Sequence, residues 1–189
     1  MKNLKIQELI SNQTVFKQML IESLKIPVEC FEYRTFDECL CSANYFICSK
    51  KECTNSQQAF VTLINYELHF YQGWNIHETN EKDLDSISNI WLTPSLKQTK
   101  TKIITANESS NGVESIVNSI ENCINQNMTS NTPERWGVFL NDRRITGKPS
   151  IITSPISEPV IALNYEWNDI ELFYETPSTY VLFSWDTGA

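Results

Sequence analysis

Apolar positions in the first two thirds of the chain recur mostly at helical spacing, and those after residue 134 recur at every second residue. Leu4, Ile6, Leu9 and Ile10, then Phe16, Met19, Leu20 and Leu24, predict helix over residues 3–24 in two pieces, ended by Pro27. Val28 to Arg34 fits a short strand. Thr35-Phe36-Asp37-Glu38 has the form of a capping box, in which the Thr hydroxyl and the Glu carboxylate each satisfy a free backbone N–H. Phe36, Cys39, Leu40, Ala43, Phe46 and Ile47 then share one face of a helix. In residues 57–72, Phe60, Leu63, Ile64, Leu68 and Tyr71 match a helix, although the β-branched and aromatic content also suits a strand; helix is preferred. Asp83 to Trp91 predicts a short helix and Lys100 to Ala106 a strand. Val113, Ile116, Val117, Ile120 and Ile124 give the cleanest amphipathic helix.

Further on, Trp136–Leu140 and Arg143–Thr146 fit a hairpin about Asn141-Asp142, Ile151–Ile152 a short strand, and 160–167, 170–175 and 180–186 three more strands. The fold class is therefore α+β, N-terminal helices packed on a C-terminal antiparallel meander. With no repeat and no linker in sight, residues 1–189 read as one domain, helix-rich over 1–130 and β-rich over 134–187.

A turn at Asn168-Asp169 sets Trp167 opposite Ile170, Tyr165 opposite Leu172 and Leu163 opposite Tyr174. A loop at Thr176–Thr179 then sets Tyr174 opposite Val181, Leu172 opposite Phe183 and Ile170 opposite Trp185. One face is apolar throughout, so Leu163, Tyr165, Trp167, Leu172, Phe183 and Trp185 are expected in the core, together with Ile116, Val117 and Ile120. The other face carries Glu166, Glu171, Phe173, Glu175, Tyr180, Leu182 and Asp186. Glu166 falls opposite Glu171, which costs roughly a few tenths of a kcal/mol. No Lys or Arg occurs after Lys148 to relieve it. Acids around aromatic rings suit a docking face for a basic partner, with Glu166, Glu171, Phe173, Glu175, Tyr180 and Asp186 as the contact residues. The alternatives are a solvated outer face, or one that the N-terminal helices cover and supply with cations.

Charge supports the same direction. The chain of 189 residues has a formal net charge of −8. That balance disfavours direct nucleic-acid binding and anionic membrane surfaces, and favours a basic protein. The N-terminal MKNLKIQELISNQ lacks the apolar core of a secretion signal, and no run approaches membrane-spanning length. The expected location is cytoplasmic, with six reduced cysteines and no meaning attached to the sequons at Asn12, Asn107 and Asn127.

Reactive residues are present without a recognisable signature. Cys30, Cys39, Cys41, Cys48 and Cys53 cluster, with Cys123 remote, but the spacing does not make the paired knuckles of a zinc site. The two histidines, His69 and His77, sit in LHFYQGWNIHE, outside any nucleophile or H-E-x-x-H pattern. Gly147-Lys148-Pro149-Ser150 lacks the upstream glycine of a phosphate loop, and Arg143-Arg144 reads as solvated turn charge. No catalytic residue, metal site or cofactor is assigned. An acidic, motif-free chain of this size resembles the general profile of bacterial toxin-immunity proteins, or of a phage inhibitor of a host nucleic-acid enzyme. That resemblance implies an inhibitor that binds and neutralises a basic toxin or nuclease. The alternative is a small enzyme with a hidden Cys/His or carboxylate site.

Overall fold

Strand β1 (Glu29–Arg34) and strand β2 (Ser42–Ser49) pair antiparallel, with Cys30 opposite Phe46 and Tyr33 opposite Ala43. The computed structural model of the protein describes residues 5–35, 42–127, 136–148 and 152–187. Phe36 to Cys41, including most of the expected capping box, lie outside the described residues. The helix expected to run on through Ala43, Phe46 and Ile47 is instead β2. Its interior residues, Ala43 to Cys48, are all buried. A strand covered on both faces loses its polar alternation, and a continuous apolar run also satisfies helical spacing.

Most of the other expected elements form close to where the pattern places them, although the helix carrying Val113 to Ile124 begins at Ala106, ahead of Asn111-Gly112, and the strand expected over 160–167 ends at Tyr165. Helices α1 (Ile6–Ser11) and α2 (Gln13–Ser23) are separated at Asn12, whose side chain accepts from the Val15 N–H at 3.3 Å. Residues 57–72 are helical within α3 (Ser56–Gln72), capped by the Asn55 side chain on the Gln58 N–H and ended by Gly73 at φ 66. A 3₁₀ turn (Ile76–Glu78), α4 (Glu81–Ser86), a π-helical turn (Ile87–Leu92) and α5 (Thr93–Gln98) follow. Then come β3 (Lys102–Ile104), α6 (Ala106–Asn127), the hairpin β4 (Gly137–Leu140) and β5 (Arg143–Ile145), and strands β6 (Ser157–Tyr165), β7 (Asp169–Glu175) and β8 (Thr179–Asp186). Asn141 and Asp142 both take positive φ, as a two-residue hairpin turn requires. Of the expected strand at Ile151–Ile152, Ile151 lies outside the described residues and Ile152 is in a turn.

The eight strands of the described residues join one antiparallel sheet, in the order β3-β6-β7-β8-β2-β1-β4-β5. The architecture is α+β, and β1 and β2 extend the sheet beyond the C-terminal meander. Its two outermost strands are three residues long. Helices cover both faces. On one face Phe46, Cys48, Leu163, Phe173 and Leu182 pack with Leu9, Leu20, Phe60, Leu63 and Leu84. On the other face Tyr45, Leu172, Val181, Phe183 and Trp185 pack with Val113, Val117 and Ile120 of α6, and Ile116 and Tyr165 lie partly buried against them.

The β7–β8 register is as expected, with Leu172 opposite Phe183 and Ile170 opposite Trp185. The β6–β7 register is not. The turn is centred on Trp167-Asn168, closed by the Glu166 N–H on the Asp169 carbonyl at 2.8 Å, and Tyr165 faces Ile170. A bulge between Ala162 and Asn164 shifts the pairing again, so Asn164 and not Glu166 stands opposite Glu171. Leu163 is buried on the face opposite the one expected, and Trp167, placed in the core by the pattern, is 80% exposed at the turn.

Candidate partner-binding surface

The structure disperses the six C-terminal residues read as a docking face. Phe173 is fully buried, edge-on to Phe60 of α3 at 5.3 Å between ring centroids. Tyr180 stacks on Phe173 at 6.2 Å between ring centroids, and the Lys50 ammonium lies 5.3 Å from the centroid of the Tyr180 ring. Glu175 is paired with Lys50 at 2.5 Å, which holds its carboxyl below the usual range despite partial burial. The missing cation is thus supplied from the β2–α3 connection, far away in sequence. Glu171 has its carboxyl enclosed against Glu67 of α3. Only Glu166 and Asp186 are exposed. Phe173 cannot anchor a partner, and the acid face is closed by helices.

Glu67 and Glu171 are half-buried residues whose carboxyl groups meet inside. Burial, and then the nearby charge of Asp169, push Glu171 up to about 7. Burial and the charge of Glu171 raise Glu67 well above the ordinary range, against a hydrogen bond with Ser184. Two carboxyls in contact cannot both ionise cheaply, so one proton is held between them. Glu171 also lines a cleft of about 510 Å³ with Asn164, Glu166, Lys100 and Lys102; Glu67 is not among its lining residues. Paired acid–base chemistry needs two carboxyls flanking the bond to be cut, and here one of the pair is turned away.

The described histidines and Cys30 do not assemble a nucleophile and base. His69 is buried; its Nδ1 donates to the Asn65 carbonyl at 2.7 Å and its Nε2 accepts from Thr79 Oγ1 at 2.8 Å. Burial lowers its pKa, which keeps it neutral in that arrangement. Cys30 and His77 line one cleft of about 550 Å³, together with Glu32, Arg34 and Asp142. Burial and then the Glu32 carboxylate push the Cys30 thiol up, the opposite of what a nucleophile requires. Arg34 grips Glu32 through two nitrogens at 2.8 Å, reaches Asp142 at 2.7 Å and lies 4.2 Å over the Phe139 ring. That network ties β1 to the β4–β5 turn. Cys30, Cys48 and Cys53 are free thiols, whereas Cys123 on α6 is disulfide-bonded, so the expectation of six reduced cysteines fails there. Among the described residues, no group of three or more His, Cys, Asp or Glu is placed to hold a metal ion. No helix among them is long and apolar enough to cross a membrane.

A different surface combines rings and acids in the open. Gly73 ends α3 and turns the chain so that Trp74 emerges beside His69, at 5.8 Å between rings. The 3₁₀ turn and α4 then lead to the π-helical turn, which carries Ile90 and Trp91 outward. Trp74 and Trp91 meet edge to face at 5.8 Å and remain 39% and 42% exposed, with Ile90 at 65%. The rings form one wall of a cleft of about 640 Å³ whose other walls include Glu78, Asp83, Thr79 and Ser86. Asn75 holds Glu78 at 2.7 Å, and the Asn80–Asp83 capping box holds Asp83, so both acids are fixed in place. Residues 73–92 carry four acids and one lysine, Lys82. The sequence reading passed over Trp74 and Trp91. Their signal was present: an aromatic directly after a glycine helix stop, and an Ile-Trp pair on a short helix bearing several acids.

No family model matches this chain, and no curated protein or solved structure matches it.

Proposed function

We propose that the protein binds and neutralises a basic protein, such as a nuclease-type toxin, and that the Trp74–Trp91 cleft is its contact site. One observation carries this reading: two exposed tryptophans share a cleft with fixed carboxylates on a chain of net charge −8. Tryptophan gives the largest contact area and the best cation–π surface for an Arg or Lys side chain. Glu78 and Asp83 meet the charge of such a side chain at the cleft, and the net negative field steers a basic partner towards it. The acidic-binder expectation from the sequence is retained, and its surface moves from the C-terminal strands to residues 73–91. The alternative, a small enzyme, has less behind it, because burial pushes the Cys30 thiol up and only Glu171 of the Glu67–Glu171 pair lines a cleft.

The cytoplasmic location belongs to the same proposal. The Cys123 disulfide pulls the other way, since such bonds persist mainly in oxidising compartments. Fractionation of the native cell locates the protein directly.

The test starts with co-purification of the tagged protein from its native cell to obtain the partner. Trp74→Ala and Trp91→Ala should each weaken binding by about 2 kcal/mol, roughly thirty-fold, chiefly through faster dissociation. Glu78→Lys with Glu81→Lys should slow association and flatten its salt dependence. An acidic partner, or unchanged affinity in both sets of variants, rejects the proposal.

A further inference from the structure

A second site lies away from the tryptophan cleft and does not depend on what binds there. Strand β2 ends at Ser49, and the chain turns tightly over Lys50 to Glu52. The Glu52 N–H donates to the Ser49 carbonyl at 3.1 Å, and the Lys51 N–H to Ser49 Oγ at 3.2 Å. The Lys50 N–H donates to the Ser178 carbonyl at 2.9 Å, which fastens the turn to the β7–β8 loop. This folded-back path returns Cys53 to the side of Cys48, and their sulfurs lie 3.4 Å apart, both residues buried.

We propose that Cys48 and Cys53 are a redox-modification site, closing into a reversible disulfide when the protein meets a small hydroperoxide. The distance is the main support. A disulfide needs its sulfurs at roughly 2 Å, and here two thiols already in contact must move only slightly, within a turn that the backbone bonds hold in shape. The roles of the two sulfurs differ. The two sulfurs share a hydrogen bond that either S–H can donate, and Cys53, on the turn, is the more exposed at 8% against 1% for Cys48. Cys53 is therefore the attacking sulfur and Cys48 the resolving one. Burial of both residues favours a small oxidant over a bulky disulfide.

The chemistry balances without another cofactor. The Cys53 thiolate attacks one peroxide oxygen, the O–O bond breaks, and the departing hydroxide takes a proton from solvent to leave as water. Cys53 then stands as a sulfenic acid. The Cys48 sulfur attacks the Cys53 sulfur, the S–O bond breaks, and the hydroxide released takes the Cys48 proton as a second water. Two thiols are oxidised to one disulfide, and one hydrogen peroxide is reduced to two waters. A small thiol reductant reverses the bond by exchange. The ring so closed contains Lys50, which pairs with Glu175 and lies over Tyr180.

The experiment treats the full chain with graded hydrogen peroxide, blocks remaining thiols with iodoacetamide and maps tryptic peptides by mass spectrometry. Trypsin cuts after Lys50 and Lys51, so the bond appears as a cross-link between peptides 35–50 and 52–82, two hydrogens lighter and separated by dithiothreitol, and fragment ions assign it to Cys48 rather than to Cys39 or Cys41 of the same peptide. That pair should form while Cys30 is still fully alkylated. Cys48→Ser should stop at a Cys53 sulfenic acid trapped by dimedone, and Cys53→Ser should leave Cys48 unmodified. Cys48 and Cys53 still alkylated after Cys30 has been oxidised would overturn the proposal. So would a sulfenic acid on Cys48 in Cys53→Ser with none on Cys53 in Cys48→Ser. A matched series with oxidised glutathione should form the pair at least tenfold more slowly; equal rates would overturn the small-oxidant part.

Discussion

Phe173 and Trp167 exchange the roles that strand alternation assigns them. Phe173 has no exposed surface and packs against Phe60 and Tyr180, so Phe173→Ala should cost about 3–5 kcal/mol. Trp167 stands on the β6–β7 turn, and Trp167→Ala should change stability by no more than about 0.5 kcal/mol. Urea unfolding of both variants beside the parent checks the pair. Equal losses would return Trp167 to the core and restore the register read from the sequence. The reason for the exchange is local. Period-2 alternation assumes an unbroken ladder, and the bulge after Ala162 together with a turn one residue earlier than expected moves Trp167 off the strand.

At the scale of elements, the turn signals were the most legible. The Asn141-Asp142 hairpin and the Thr176–Thr179 loop form where expected, on residues whose backbone or side-chain preferences are strong, whereas the turn placed at Asn168-Asp169 forms one residue earlier. Strand β2 was not legible, because burial on both faces removes the polar half of its pattern. The candidate site was half legible. The acids of residues 78–85 are plain in the sequence, but two tryptophans 17 positions apart become neighbours only through the 3₁₀ turn, α4 and the π-helical turn between them. That module depends on its cap. Asn80 accepts from the Lys82 and Asp83 N–H groups, and Asp83 accepts from the Asn80 N–H in return. Asn80→Ala should therefore destabilise α4 by about 1 kcal/mol and loosen the position of Trp91 relative to Trp74. Tryptophan fluorescence and amide exchange across residues 80–92 measure this directly; protection equal to the parent would show that the cap is not what holds the module.

Across the whole molecule, α3 is held to the sheet partly by a proton. Glu67 comes from α3 and Glu171 from β7, and Asp169 at the start of β7 adds negative charge, with Tyr71, Asn44 and Ser184 completing the polar surroundings. Both carboxyls have folded-state pKa values raised above the ordinary range. Their stabilising contribution is present in full below about pH 4.5 and is lost as pH rises towards about 7, where Glu171 gives up its proton. Other carboxylates work in the opposite sense, Glu175 among them, so the pair is isolated by comparison with a variant. Glu67→Gln leaves an amide that donates to Glu171 without adding charge. It should gain about 1–2 kcal/mol over the parent at pH 8, and the gain should vanish by pH 5. Thermal unfolding of both proteins across that range tests it, and a difference that does not change with pH would remove the shared proton from the account.

The three-residue strands at the two margins of the sheet set how these molecules behave when crowded. An open sheet invites a neighbour's backbone to continue its ladder, and the invitation grows with the length of free edge. Here β3 offers Lys102 and β5 offers Arg143 and Arg144 along edges too brief to hold a foreign strand in place. A protein that presents sticky tryptophans in one cleft thus offers a foreign strand, among its described residues, only two brief and positively charged sheet edges.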